Sequence, residues 1–142
     1  GDFHEAQLLV KRGVLAGVLD IDTAGPGRTG DDPATMLGHL AVLEMSSTRP
    51  ERVRAYGEAL LRRWDRRTDP IDLRMRVAAV ILGLATGPFR VQRERWPLEV
   101  RSRLGLAQCW LESIDKNCER NLIPASWTRH GCLPSLDLPH QH

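Results

Sequence analysis

A chain of 142 residues, 42% hydrophobic and 27% charged, has the length of one domain and the makeup of an ordinary globular protein. Such a chain buries roughly two-thirds of its unfolded surface, which permits a modest core. The formal net charge of +2 makes no general case for nucleic acid, and the longest apolar run, Val77 to Leu84, falls short of the ~20 residues a bilayer span requires.

Charge is unevenly distributed. Residues 1–47 hold seven acids against three bases, while Arg49 to Arg67 hold seven arginines against three acids. Cys109, Cys118 and Cys132 form no CxxC pair, and a domain of this size does not depend on disulfides, so a reducing cytoplasm is expected.

In chain order, Leu8-Leu9-Val10 and Gly17-Val18-Leu19-Asp20-Ile21 predict the two arms of a β-hairpin around Lys11-Arg12-Gly13. Asp2 precedes one arm, and the other carries Asp20 with Asp22 just beyond it. Folding the hairpin gathers these acids at one end of a small sheet, where they need a cation or a shared proton. Residues 23–30 hold three glycines and a proline and read as a loop. Asp32-Pro33 then predicts a helix N-cap with proline at the first helical position, and Met36, Leu37, Leu40 and Leu43 form an apolar face ending near Ser46-Ser47. His39 is expected at the surface of this helix.

A second helix restarts at Ser47-Thr48-Arg49-Pro50, with Val53, Tyr56, Leu60, Leu61 and Trp64 as its stripe and arginines largely around it. The third, opening at Asp69-Pro70 and stopping at Gly87-Pro88, is apolar enough to be the central buried helix. A fourth, from about Pro97 to Lys116, places Val100, Leu104, Ala107, Leu111 and Ile114 at spacings of four and three. Residues 121–142 show no sustained period and are expected to be a poorly ordered tail. The predicted fold class is α+β, mainly α: a short hairpin bearing the acids, followed by about four helices. Trp64, Trp96 and Trp110 are expected to pack in or near the core, and Cys109 and Cys118 to be inert buried thiols.

The first segment resembles the catalytic segment of the aminoglycoside phosphotransferase family, relatives of protein kinases that phosphorylate small hydroxylated molecules. The family pattern is His, any residue, Asp, four residues, Asn, then a hairpin and a second Asp. Asp2 matches the first Asp, Gln7 falls at the Asn and Asp20 of Val18-Leu19-Asp20 at the second Asp, while Gly25-Pro26-Gly27 and Asp32-Pro33-Ala34 look like the family's glycine turn and helix start. The match covers roughly residues 1–45. The family's His would stand one residue before Gly1, and its acid on the following helix is replaced by Met36.

The resemblance implies a protein-kinase-like C-terminal lobe over residues 1–120, acting with ATP and Mg²⁺ on a small hydroxylated substrate. Asp2 would take the proton of the substrate hydroxyl, Asp20 would hold magnesium at the ATP phosphates, and Gln7 would be a second metal ligand. The glutamine side chain is one methylene longer than asparagine, which sets its oxygen about 1.5 Å further out. Asp22 is a candidate to steady the metal ligand, or a turn acid; His4, also near the site, is expected to make local hydrogen bonds in the loop rather than bind metal. A complete enzyme of this kind has a preceding lobe with a phosphate-covering loop and a strand lysine. The two lysines here, Lys11 and Lys116, do not stand before the catalytic segment. The chain is therefore expected to be a fragment that needs an N-terminal lobe as partner and is inactive alone. The alternative is a non-catalytic helical interaction or nucleic-acid-binding module using the arginine-rich helix 49–67, with Glu51, Glu58 and Asp65 interleaved among the bases.

Overall fold

The computed structural model describes residues 2–23 and 25–117; the predicted tail 121–142, Cys118 and Cys132 lie outside them. The chain opens with a single 3₁₀ turn, Glu5–Gln7, then an antiparallel hairpin of β1 (Leu8–Lys11) and β2 (Val14–Val18). Among the described residues five α-helices follow: α1 (Asp31–Glu44), α2 (Pro50–Trp64), α3 (Pro70–Ala85), the short α4 (Gly87–Arg90) and α5 (Trp96–Asn117). The fold is α+β and mainly α, as the sequence predicts. No helix among the described residues is long and apolar enough to cross a membrane.

The second strand lies earlier than predicted. Arg12 (φ 54°) and Gly13 (φ 79°) both adopt left-handed conformations, making a two-residue turn whose twist matches that of the strands. Pairing therefore resumes at once, with Lys11 opposite Val14 and Leu8 opposite Val18. A bulge between Leu9 and Val10 absorbs one extra residue of β2, so that Leu9 faces Gly17. Asp20 consequently lies beyond the strand rather than in it, in the left-handed conformation (φ 56°), and Ile21–Thr23 continues as a 3₁₀ turn. A short polar Asp tolerates that backbone better than most residues.

The first long helix starts two residues sooner than the Asp-Pro signal suggested: Gly30 is its cap, Asp31 and Asp32 fill its first turn, and Pro33 is buried. At α3 the predicted cap is present. Asp69 accepts from the backbone N–H of Ile71 (2.8 Å) and Asp72 (3.1 Å), and Pro70 opens the helix.

Helix α3 is the central element, packed against α1 on one side and α5 on the other, with α2 against α1. Leu73, Val77 and Ile81 of α3 are fully sealed, together with Leu37 of α1, Leu61 of α2 and Trp110 of α5. The predicted stripe on α5 holds only in part. Ala107 is buried and Trp110 packs in the core as expected, but Leu104 and Leu111 face solvent and Ser113 turns inward, because the indole at 110 is the bulk that fills the space beside α3. Tyr56 likewise stands half exposed while Gly57 is buried at the α2 contact. Trp64 and Trp96 are partly buried, and Cys109 is buried.

Two features fix the helices against one another. A Cβ at Gly38 would lie 2.6 Å from Val80 Cγ1, so α1 and α3 meet there at a distance only glycine permits. Arg74, 1% exposed, grips both oxygens of Asp65 (2.6 and 2.8 Å) and the Pro70 carbonyl (2.9 Å), which joins the end of α2 to the start of α3.

Candidate functional site

The hairpin is extended by one backbone bond at its open end, from Leu19 N–H to the Gln7 carbonyl (2.8 Å). That bond sets Gln7 beside Asp20, although thirteen positions separate them in sequence. Asp2 reaches the same place from the other side of the 3₁₀ turn. Together with Phe3, the loop Gly25–Arg28 and the first turn of α1, these residues line an open cavity of about 330 Å³. Asp2, Gln7 and Asp20 thus share one cavity. It carries five of its lining side chains as Asp2, Asp20, Asp31, Asp32 and Gln7.

Acids in such number raise the cost of ionising one another. The carboxyl of Asp20 is held above its ordinary pKa, first by a hydrogen bond and charge repulsion from Asp22 and then by the charge of Asp2, with a hydrogen bond from Gln7 opposing the rise. Asp31 is different, because its charge is already matched: Oδ1 accepts from Arg76 (2.6 Å) and Oδ2 from the Arg28 backbone N–H (3.4 Å). Arg76 in turn bonds Asp72 (2.7 Å), holding that carboxyl below its usual range. Among the described residues, the acids here without a cationic side chain bonded to them are therefore Asp2, Asp20, Asp22 and Asp32. A hard divalent cation suits such a set, since carboxylate oxygens are its preferred ligands.

Gln7 is 7% exposed. Its oxygen accepts from the His4 backbone N–H (3.4 Å), and its side chain opposes the rise in the Asp20 pKa. To ligate a cation the amide would have to turn over, which exchanges the bond from His4 for the metal. The His4 backbone carbonyl accepts from Gln7 N–H (3.1 Å), while the local bond expected of its side chain is not made at Nδ1, which has no hydrogen-bond partner among the described residues.

One neighbour escapes sequence reasoning. His39 is not a surface residue of α1: its side chain is 21% exposed and stacks on His4, with ring centroids 4.3 Å apart. No local pattern joins positions 4, 5 and 39; only the docking of the 3₁₀ turn against α1 does so.

The arginines of α2 form a separate surface. Across residues 49–67, Arg54 is tied to Glu44 of α1 (Nε to Oε1, 2.8 Å) and Arg62 faces Glu58, leaving Arg49, Arg52, Arg63, Arg66 and Arg67 exposed. Arg67 lies 5.9 Å from the Trp64 ring. Compared with known proteins, the chain matches no protein-family model, no curated protein and no solved structure.

Proposed function

We propose that the chain is the acid-bearing lobe of a kinase-like phosphotransferase of the aminoglycoside phosphotransferase type, moving the ATP γ-phosphate to a hydroxyl of a small molecule in the cytoplasm. The observation that carries this reading is the convergence of Asp2, Gln7 and Asp20 on one cavity at the open end of the hairpin. Asp2 is assigned to the substrate hydroxyl, whose proton its carboxylate accepts as the oxygen attacks phosphorus. Asp20, with Asp22 beside it, would hold Mg²⁺, and Gln7 would join them after its amide turns. Bound there, magnesium supplies charge neutralisation for the ATP phosphates. The crowding that raises the Asp20 pKa supports this assignment, because a cation relieves it.

Phosphoryl transfer depends on positioning, and a cavity open on one side does not exclude water. A covering lobe with a phosphate-binding loop and a lysine would close it. The hairpin offers such a lobe an apolar seat in Val10, Val14 and Leu15, all largely exposed.

The test is Mg²⁺-dependent ATP turnover with a panel of hydroxylated small molecules, using the longest open reading frame that contains this chain. Asp2→Asn should retain nucleotide binding and lose turnover, whereas Asp20→Asn should lose magnesium-dependent nucleotide binding. Gln7→Asn should preserve or raise activity. Intact binding and turnover in Asp20→Asn would overturn the reading. A gel shift with duplex DNA that falls steeply with salt would instead favour the module built on helix 49–67.

A further inference from the structure

Beside the acidic cavity, and using none of Asp2, Gln7 or Asp20, three side chains of different chemistry face one another. The Glu5 Oε2 atom lies 3.9 Å from His4 Nδ1 and 3.8 Å from His39 Nδ1. One ligand-type atom from each of the three residues falls within a span of 4.8 Å. The imidazoles stack nearly parallel, at 10°, so both present the same edge to the carboxylate. His4 Nδ1 and Glu5 Oε2 are shielded from solvent and have no hydrogen-bond partner among the described residues. An oxygen lone pair and an imidazole nitrogen buried face to face without a bond call for something positive between them.

We propose that His4, Glu5 and His39 form a binding site for a divalent transition-metal ion of the zinc class, with water completing its coordination. Two imidazoles and one carboxylate are a donor set that zinc and its neighbours accept and that magnesium, which demands oxygen, does not. A tetrahedral ion with bonds of about 2.0–2.1 Å sets its ligand atoms roughly 3.3 Å apart. The present gaps of 3.8 and 3.9 Å need to close by about half an ångström, with the rings tilting out of their stack. Imidazole rings turn readily about their last torsion, which is the motion this closure draws on. Burial, together with the nearby His4, also holds the His39 pKa below its ordinary value, which keeps the ring neutral and its lone pair available.

The ligands come from both sides of one junction. His4 and Glu5 belong to the segment that carries Asp2 and Gln7, and His39 belongs to α1. Metal binding would clamp that segment onto the helix and so fix the positions of Asp2 and Gln7. The competing occupant is a proton, which would turn the cluster into a histidine–glutamate ion pair.

Titration of the full chain with Co²⁺, read by visible d–d absorption and competed with Zn²⁺, separates the two. The expected result is one Co²⁺ bound per chain in this cluster, displaced by Zn²⁺ and not by millimolar Mg²⁺. Glu5→Gln and His39→Ala should each weaken binding at least about tenfold, and Asp20→Asn should leave it unchanged. Far-UV circular dichroism checks that each variant folds. Glu5→Gln, isosteric and at a partly exposed position, together with His4→Gln, decides the matter if His39→Ala does not fold. No cobalt uptake, equal affinity in the cluster variants, displacement by Mg²⁺, or loss of the site in Asp20→Asn would overturn the proposal.

Discussion

In the helical body Leu61, Leu73, Val77, Ile81 and Trp110 are sealed from solvent, whereas in the hairpin Val10, Val14 and Leu15 keep more than half of their surface exposed. The body spends its apolar residues on its own cohesion. The hairpin holds its shape mainly through backbone bonds, a left-handed turn and a bulge, and keeps its apolar face outward. Its charges differ in the same way: Arg74 and Asp65 are matched in the body, while Asp2, Asp20 and Asp22 crowd together at the hairpin. One region satisfies its own apolar surface and charge, whereas the other leaves both open.

Substitutions in the two regions should therefore behave differently in chemical denaturation. Trp110→Ala should have the largest effect, a loss of about 3–5 kcal/mol, because it empties the space between α3 and α5. Asp65→Ala should follow, at about 2–4 kcal/mol, since it leaves the buried Arg74 guanidinium without its carboxylate; Asp65 itself is partly exposed, which holds the cost below that of a fully buried pair. Gly38→Ala adds a methyl group against the branched Val80 side chain, and about 1–3 kcal/mol of overpacking should outweigh the gain of about 1 kcal/mol in helix propensity. Asp20→Asn, at the hairpin, should cost no stability at neutral pH, since it removes one charge from a repelling group and Asn accepts the left-handed backbone. A clear loss there would break the contrast between the regions.

The smallest effect concerns acid. Arg76 lowers the Asp72 pKa in the folded state, so the folded chain binds this proton less readily than the unfolded one. The stabilisation is present above the unfolded value of 3.8 and is lost as pH falls through the lowered folded value. A pH series of thermal melts should show that acid-side loss reduced in Asp72→Asn. An unchanged acid limb would mean that the exposed pair contributes nothing.

The legibility of this chain follows the range of the interactions. Local chemistry was readable: Asp69-Pro70 announces its helix, and the apolar run that follows announces a buried one. On α5 the spacings of four and three place Ala107 correctly but also Leu104 and Leu111, which face solvent, and only the fit of Trp110 against α3 sets which side turns inward. The proximity of Asp2, Gln7 and Asp20 could be anticipated because a hairpin folds a short stretch back on itself. The stacking of His39 on His4 could not, since it depends on how the 3₁₀ turn docks on a helix some thirty residues later.

The contact of Gly38 with Val80 also governs what can move. A helix notched onto its neighbour at a single glycine can neither roll about its axis nor slide by a residue without driving a methyl group into backbone. The first turn of α1, with Asp31 and Asp32, is therefore a fixed wall of the cavity, referenced to the centre of the molecule. Any opening or closing around a ligand falls to the hairpin side, with Arg28 to Gly30 tied to the stationary jaw.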